Sequence, residues 1–232
     1  MSNSNSLDLY SKVEDLLGVK EASPKLYAHY LLFLNQFDFN SLLDVGCGSG
    51  DFLQQMSRAL DIEVFKGIDL SPLMVEKSIK LGLDAECIDL ALENKTYDVI
   101  TAVFDMLNYL DKEELKTFLK EIFLHLNNGG VFLCDINTLY GFENVAVGSF
   151  IVDDDDRFLT IDSDFEDGEY ISEFTLFEKE RVNFKKSQEI IRQYFHTIDD
   201  ITKELGLTLI NEDKVFLYEE EEADKLFLVF QK

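Results

Sequence analysis

The chain has 232 residues, 46% of them apolar, and a formal net charge of −25 at pH 7. This length suits one full-sized domain with an inserted subdomain. The charge disfavours nucleic acid and anionic membranes as partners, and no apolar run approaches the roughly 18 residues that span a bilayer. The polar start, MSNSNSLDLYSK, lacks a signal-peptide pattern and predicts a short disordered segment of a cytoplasmic protein.

Cysteines and acidic runs are the next features that the composition offers. Cys47, Cys87 and Cys134 form no C-x-x-C pair, so we expect reduced, buried thiols and no metal site. The runs DDDD (residues 153–156) and EEEE (residues 219–222) predict solvated loop tips, with a cation or partner site as the alternative.

Strand-like and helix-like segments alternate through the first 137 residues. Ser23-Pro24 predicts a helix start with serine as the N-cap. DFLQQMSRAL and SPLMVEKSIKLG are helical, ALENKT is too short for a full helix, and the clearest helix runs from about Lys112 to Leu126. NNGG is predicted to end that helix with a glycine C-cap. Five buried strands are predicted: SLLDVG, EVFKGIDL, LDAECIDL, YDVITAVF and GVFLCDIN.

This rhythm predicts an α/β fold with a Rossmann-like, doubly wound, mostly parallel seven-stranded sheet. Residues 138–196 instead alternate as strands around the turn EDGE, which predicts an antiparallel β insertion after strand five that covers the substrate. The helix IDDITKELG and two strands, LTLINEDKVFLYE and KLFLVFQ, complete the core. We therefore expect an N-terminal helical segment or lid (1–39), a cofactor-binding core (40–137 and 197–232) and the insertion (138–196).

The stretch LLDVGCGSGDF indicates a ligand loop at the end of the first strand. Its glycines, Gly46, Gly48 and Gly50, are one residue too tightly spaced for the G-x-G-x-x-G of dinucleotide folds. No Lys-Ser or Lys-Thr follows, as a P-loop requires, and Asp51 at the helix start would repel a phosphate. A cationic or zwitterionic ligand without phosphate fits this loop better.

Acidic residues end three consecutive predicted strands: Asp44, Asp69 and Asp89. Ligands of open α/β sheets bind beyond the carboxyl ends of the strands, and a carboxylate there can accept hydrogen bonds from both hydroxyls of a ribose. The sequence thus predicts a nucleoside pocket with an acidic floor.

These residues resemble the ordered motifs of class I S-adenosylmethionine-dependent methyltransferases. LLDVGCGSGDF, GIDLS, CIDL, YDVITAVFDMLNYL and LNNGGVFLCDIN follow one another over about residues 40–137. The later part resembles small-molecule members with a β insertion, such as amino-sugar N-methyltransferases. The resemblance implies S-adenosyl-L-methionine as cofactor, S-adenosyl-L-homocysteine as product, no metal, and transfer to an N or O atom of a small molecule by in-line displacement.

The resemblance also implies roles for single residues. Backbone at the three loop glycines contacts the methionine part of the cofactor, with Asp44 near its amino group. Asp69 accepts from the ribose hydroxyls, Leu70 packs on the adenine, and Asp89 and Leu90 flank the adenine edge.

Further site residues are expected where the fourth strand ends. Phe104 and Asp105 are placed beside the sulfonium and the acceptor. Asn108 and Tyr109 are candidates to face the acceptor, Tyr109 as a catalytic residue. Tyr10 is a candidate to close over the cofactor.

A base is needed only when the nucleophile must lose a proton. His196 is a candidate for that role, with a structural or capping role as the alternative, while His125 is interpreted as structural. His29 lies on the segment proposed as a lid. Glu173 and Phe174 are candidates to shape the acceptor pocket.

Two other functions stay open at this stage. One is a catalytically silent S-adenosylmethionine-binding sensor or partner-binding module, and the other is a methyltransferase of a basic protein attracted by the acidic loops. A nicotinamide oxidoreductase is disfavoured by the glycine spacing and by Asp51. The chain can be a monomer or a homodimer, since the insertion offers edge strands. The sequence does not identify the acceptor.

Overall fold

The computed structural model of the protein describes residues 8–218 and 221–232, so residues 1–7 of the predicted disordered start and half of the second acidic run lie outside the described residues. Residues 8–12 of that start form a helical turn with Leu9 buried, so the prediction of disorder is wrong there. A seven-stranded sheet has the order β10-β11-β5-β4-β1-β2-β3, in which β11 is antiparallel to β5 and β10. Its strands are β1 Ser41–Val45, β2 Val64–Ile68, β3 Ala85–Glu86, β4 Tyr97–Ala102, β5 Leu126–Asn137, β10 Thr208–Val215 and β11 Lys225–Gln231.

Helices cover both faces of this sheet. One core cluster includes Leu26 and Leu34 of α1 (Val19–Leu34) and Phe52 of α2 (Asp51–Ala59). The other includes Leu119 of α4 (Lys112–His125) and Ile201 of α5 (Ile198–Leu205). This confirms the predicted doubly wound α/β fold, with the main sheet buried between two apolar layers. The helices are α1 Val19–Leu34, α2 Asp51–Ala59, α3 Pro72–Lys80, α4 Lys112–His125 and α5 Ile198–Leu205.

Three helix starts in the core follow from side-chain capping. Ser71 Oγ accepts a hydrogen bond from the amide of Met74, so Ser71 is the N-cap of α3 and Pro72 its first residue. Asp111 and Glu114 form a capping box at α4, and Thr197 and Asp200 form one at α5. Each cap satisfies backbone N–H groups that the first helical turn leaves without partners.

The predicted start of the first helix at Ser23-Pro24 is wrong. Helix α1 begins at Val19, after Gly18 in the left-handed conformation, and Pro24 lies inside it. Ser23 Oγ donates to the carbonyl of Val19 at 2.6 Å, so the serine caps no N-terminus. Only one helical hydrogen bond is lost at a proline near the first turn, and burial of Ala22 favours the longer helix.

Two other predicted boundaries are also corrected. Helix α4 ends at His125, and NNGG belongs to the start of β5 rather than to a glycine cap. Gly129 and Gly130 exchange backbone hydrogen bonds with Lys232, and this pairing with the chain end draws the segment into the sheet. The third strand comprises only Ala85–Glu86, and Cys87, expected to be buried, is exposed beyond it.

A separate four-stranded antiparallel sheet follows strand five and confirms the predicted β insertion. The turn Asp167-Gly168 joins two of its strands with φ of 53° and 83°, as the EDGE motif predicts. Residues 155 and 156 of the DDDD run form the tip of another hairpin, while Asp154 pairs with Arg157. The strands are β6 Gly148–Asp154, β7 Arg157–Glu166, β8 Glu169–Glu180 and β9 Asn183–Tyr194.

The N-terminal segment packs against the inner face of this insertion. Leu9 and Val13 are buried in a cluster with Leu159, Phe174 and Leu176. The segment thereby joins the insertion to the core. Glu173, the neighbour of Phe174, is on the other face and accepts a hydrogen bond from Gln188.

Candidate functional site

A cavity of about 300 Å³ lies at the carboxyl edge of the main sheet. Residues that follow β1, β2 and β4 line it, and the N-terminal segment and the insertion contribute Tyr10, Glu14, Ile191 and Arg192. This volume and position are typical of small-ligand sites in α/β folds.

The glycine loop after β1 forms the floor of the cavity. Gly46 has a φ of +73°, and a Cβ built on it would lie 2.9 Å from Met106 Cγ. Gly50 has a φ of +87°, and its Cβ would lie 2.5 Å from Ser78 Oγ. Gly46 and Gly48 line the cavity, whereas Gly50 lies behind its wall and packs against α3. Glycine is thus required at Gly46 and Gly50 both by the left-handed backbone and by the lack of space for a Cβ.

Asp69 is fixed at the end of β2 by two backbone amides. Its Oδ2 accepts from Gly48 N at 2.9 Å and its Oδ1 accepts from Ser71 N at 2.7 Å. Burial raises the pKa of Asp69, and these amide hydrogen bonds oppose the rise. Ser71 Oγ also donates to Asp8 at 3.0 Å, which ties the N-terminal segment to this end of the cavity.

Asp44 lies deeper than Asp69 and is 2% exposed. Burial raises its pKa to about 7, the hydrogen bond that Thr101 Oγ1 donates at 2.7 Å lowers it, and Asp69 adds to the rise. A buried carboxyl that titrates near neutrality is a common property of ligand sites.

An apolar wall continues from Asp69 along the third strand. Leu90 is buried and Leu70 is exposed, and both line the cavity. Asp89 also lines it, is exposed, and accepts from the amide of Ala91 at 2.9 Å. The carboxylate of Asp89 lies at the rim of the wall. The hydrogen bond from Ala91 N, which caps the following helical turn, holds it there.

Aromatic side chains form the opposite wall. Tyr27 lies edge-on to Phe52 and Phe104, with ring centroids 5.1 and 5.7 Å apart. Tyr10 and Tyr109 line the same end of the cavity. Burial raises the pKa of both phenols, and the charge of Asp105 adds to the rise, so these hydroxyls are neutral at pH 7.

The turn after β4 has an unusual backbone. Phe104 and Asp105 are consecutive residues in the left-handed region, with φ of 57° and 50°. Such a conformation costs about 1–2 kcal/mol for each residue with a side chain, so contacts around the turn must hold it. Asp135 supplies them, since its carboxylate accepts from Phe104 N and Asp105 N, each at 2.8 Å.

The carboxylate of Asp105 is engaged by three neighbours rather than directed at the cavity. Lys225 Nζ donates to Oδ1 at 2.5 Å, and Gln193 and Asn137 donate to Oδ2 at 2.6 and 3.3 Å. Asp105 does not line the cavity, because its carboxylate is engaged by a buried lysine, and its contact with the acceptor stays a prediction.

Asn108 and His196 also lie outside the cavity wall. Asn108 is fully buried, donates to the carbonyl of Tyr194 at 2.8 Å and accepts from Asn137 N at 3.0 Å. His196 is 1% exposed, and its Nε2 bonds the Leu110 carbonyl at 2.9 Å. Both side chains hold the end of the insertion against the turn after β4, and neither lines the cavity.

The other two histidines are engaged elsewhere. His125 bonds the carbonyls of Glu121 and Glu93 at 2.8 and 3.0 Å, as its structural interpretation requires. His29 lies 3.9 Å from Asp213 and is not part of the cavity wall.

Sequence reasoning missed Asp135 and Lys225, which do not line the cavity but hold its wall. A signal for Asp135 exists, because a carboxylate interrupts the otherwise apolar strand VFLCDI. Nothing similar marks Lys225, whose partners are 88 or more positions away in the chain.

The charge of the lining is acidic. Among the described residues that line the cavity, Arg192 is the one cation, and it pairs with Glu169. The carboxylates are those of Glu14, Asp44, Asp51, Asp69 and Asp89. Phosphate groups would be repelled here, whereas an ammonium or sulfonium would be attracted. In residues 8–218 and 221–232, no cluster of three or more His, Cys, Asp or Glu side chains is arranged to hold a metal ion.

Comparison with known proteins identifies the class to which this fold belongs. Residues 42–130 match the family model of a methyltransferase domain. An S-adenosylmethionine-dependent methyltransferase from Clostridium acetobutylicum has the same fold, with a TM-score of 0.76 and 23% identity over 96% of this chain and 98% of its own. The resemblance to class I methyltransferases that the motifs indicated is therefore confirmed.

Two other similar proteins define the likeness further. The amino pentose methyltransferase from Micromonospora echinaspora, solved with S-adenosylmethionine bound, has a TM-score of 0.68 and 20% identity over 92% of this chain and 91% of its own. An uncharacterized protein of Methanocaldococcus jannaschii is 25% identical over 153 residues, or 58% of this chain. The match spans 59% of the length of that relative. Within the part of the chain that the structure describes, no helix has the length and hydropathy of a membrane span.

Proposed function

We propose that the protein is an S-adenosylmethionine-dependent methyltransferase that acts on a nitrogen or oxygen atom of a small molecule. The observation that carries the proposal is the acidic cavity, in which Asp69 is held by Gly48 N at the carboxyl edge of the sheet. The methyltransferase-domain match over residues 42–130, which includes the glycine loop and the three strand-end acids, supports it.

The lining residues fit such a cofactor better than one with phosphates. The glycine loop lets a ligand approach the backbone closely, as a Cβ at Gly46 would not. Asp69 is suited to a ribose, Asp44 to an amino group, and Leu90 and Leu70 to an adenine face. A nicotinamide dinucleotide would bring its pyrophosphate beside Asp51, and the one cation of the described lining, Arg192, is already paired with Glu169.

Residues at the other end of the cavity are assigned to the reacting atoms. S-adenosylmethionine supplies, when bound, a methyl group activated by its sulfonium. Phe104 shapes this end, and Tyr10 closes it from the N-terminal segment. Tyr109 has a raised pKa, so it is suited to orient an acceptor by donating a hydrogen bond rather than to act as a base. Much of the acceleration can then come from positioning.

The acceptor is proposed to be small because two segments restrict the mouth. Arg192 and Ile191 of the insertion and Glu14 of the N-terminal segment line it. The excess of carboxylates and phenols favours an amine over a hydroxyl compound, since a cation or a polarised amine is attracted by both. A basic protein would have to reach past these segments, so we prefer a small molecule.

Calorimetric titration with S-adenosylmethionine and S-adenosylhomocysteine, with NAD as control ligand, tests the cofactor. Micromolar binding of the first two without NAD is expected. Asp69→Ala should weaken binding by at least about 100-fold, because it removes a charge-assisted pair of hydrogen bonds. Asp84→Asn is the matched control, since this exposed carboxylate lies outside the cavity. Equal affinity of Asp69→Ala and native protein would reject the proposed site.

A second assay tests transfer. Production of S-adenosylhomocysteine is measured with panels of small amines, hydroxyl compounds and a basic peptide. Turnover with an amine supports the proposal, and turnover with the peptide alone would favour the protein methyltransferase. Binding without turnover by any panel member would favour the silent sensor.

A further inference from the structure

The turn at Phe104 and Asp105 joins β4 to the reacting end of the proposed cofactor site. Phe104 lines the cavity and lies edge-on to Tyr27. Met106, which follows the turn, also lines the cavity. A Cβ built on Gly46 would lie 2.9 Å from Met106 Cγ. The turn therefore touches the glycine loop directly, and a shift of its backbone would move one wall of the cavity.

The carboxylate of Asp135 fits this turn in a way that other side chains would not. Its Oδ1 accepts from Phe104 N and its Oδ2 from Asp105 N, so each oxygen holds one of two successive amides. A carboxylate offers two acceptors and no donor, whereas an asparagine would turn an N–H group towards one amide. Tyr30 Oη donates to Oδ1 at 2.8 Å without contacting the turn by that bond.

Lys225 balances the charge of this arrangement. Its Nζ lies 3.4 Å from Asp135 Oδ2 and donates to Asp105 and Asn137. Burial alone would lower the pKa of Lys225, but Asp105 and Asp135 outweigh that effect and raise it, so the ammonium stays charged. A cation beside two acids offsets part of the cost of burying them together.

We propose that Asp135, with Lys225 as its counter-ion, is a positioning residue that holds the Phe104–Asp105 turn in its left-handed form. The cavity wall at the methyl-donor end is thereby set before the cofactor binds. The inference rests on the proposed function, since it concerns the same cofactor site. Asp135 itself does not line the cavity and is not a catalytic residue.

The binding test compares two variants of the same cluster. Asp135→Asn should raise the dissociation constant for S-adenosylmethionine by about tenfold or more, since one amide of the turn loses its acceptor. Tyr30→Phe removes a hydrogen bond to the same carboxylate but leaves both turn contacts. It should lower stability while keeping the dissociation constant within about twofold of the native value. Lys225→Met is a second test variant, expected to weaken binding in the same direction as Asp135→Asn.

A spectroscopic test follows the turn without any ligand. The chain has no tryptophan, so Phe104→Trp places at the turn a single tryptophan, which is excited at a wavelength that the tyrosines do not absorb. Adding Asp135→Asn or Lys225→Met to this variant should shift its emission to the red and increase quenching by acrylamide, whereas adding Tyr30→Phe should not.

The outcomes separate this inference from the proposed function. If native protein fails to bind S-adenosylmethionine, the proposed function fails, and the emission test still measures whether Asp135 holds the turn. If native protein binds and both Asp135→Asn and Lys225→Met bind equally well, the positioning inference is overturned. Should Asp135→Asn fail to fold, Lys225→Met decides by the same two measurements. A loss of affinity in Tyr30→Phe equal to that in Asp135→Asn would show general damage to the cluster. That result would also overturn the positioning inference.

Discussion

The two ends of the cavity are built in different ways. One end, around Asp69, is where we propose that the nucleoside binds, and we call it the nucleoside end. Residues near one another in the chain form it, since Asp69 is held by Ser71 and by the glycine loop 21 positions away. The other end, at the Phe104–Asp105 turn, is where we propose that the methyl group is transferred, and we call it the methyl-donor end. This turn depends on Asp135 from β5 and Lys225 from β11. The first end is thus a local motif with backbone donors, whereas the second is assembled by the tertiary fold.

This difference explains why one end responds mainly to loop geometry and the other to buried charge. Backbone amides keep their positions when side chains elsewhere change, so damage to the nucleoside end should come from within the motif. Asp135 and Lys225 of this cluster are buried, and an unpaired charge there would be costly. Substitutions can therefore separate the two ends.

Substituting Gly46 should cause the largest loss of stability in the local motif. Gly46→Ala places a Cβ 2.9 Å from Met106 Cγ at a φ of +73°. We expect a loss of about 2 kcal/mol in the free energy of unfolding and at least about tenfold weaker binding of S-adenosylmethionine. Gly82→Ala is the matched control, because it has a φ of +83° and no atom within 4 Å of its Cβ.

Chemical denaturation and calorimetry of the two glycine variants measure this comparison. Gly82→Ala should lose only about 1 kcal/mol, the cost of a left-handed alanine, and should bind normally. Equal affinities of the two variants would mean that contact between the loop and Met106 does not matter for the ligand.

The pH dependence of Asp44 gives an intermediate effect. Its folded pKa of about 7 exceeds the unfolded value of about 3.9, so the folded state holds the extra proton between these values. Stability contributed by the protonated carboxyl is therefore lost as the pH rises from about 4 through about 7. Asp44→Asn should raise the free energy of unfolding at pH 8 by about 2 kcal/mol and leave it nearly unchanged at pH 4.

Ligand binding should respond to Asp44 in the opposite sense. The native protein should bind S-adenosylmethionine more tightly as this carboxyl ionises, because the charged form attracts an amino group. Titration of the ligand is common to both proteins, so the difference in pH profile between native protein and Asp44→Asn isolates the carboxyl. Parallel profiles would remove Asp44 from the proposed site.

The sequence predicted the elements around the proposed nucleoside end because their determinants are near one another in the chain. The glycine spacing, the strand-end acids and the Ser71 cap all act within short stretches, and β1, β2 and α3 follow from them. The insertion was also predictable, since period-two alternation and the Asp167-Gly168 turn are local signals.

The methyl-donor end was less predictable for the same physical reason. Asp105 was expected to face an acceptor, yet the ammonium of Lys225, 120 positions later, engages it. Likewise, NNGG has the composition of a helix stop but pairs with Lys232 at the other end of the chain. No local pattern carries such pairings, because they are decided by which strands become neighbours.

Removal of His196 should have the smallest effect on methyl transfer. Its ring lies outside the cavity and bonds Leu110, whereas a general base would contribute a factor of about 10²–10⁴. His196→Gln keeps a donor for that carbonyl, and we expect transfer to the best amine of the panel to stay within about threefold of native. Tyr109→Phe, at a residue that lines the cavity, gives the comparison for a direct contact.

Stability provides the independent readout for His196. Burial lowers its pKa below the ordinary value, so its contribution is fully present above about pH 6.5 and is lost as the pH falls through the folded pKa. Thermal unfolding of native protein should therefore show a component that weakens on acidification and is absent in His196→Gln. A hundredfold loss of transfer with unchanged unfolding would instead make His196 part of the reaction. The catalytic group would then also be brought to the methyl-donor end by the tertiary fold, as Asp135 and Lys225 are.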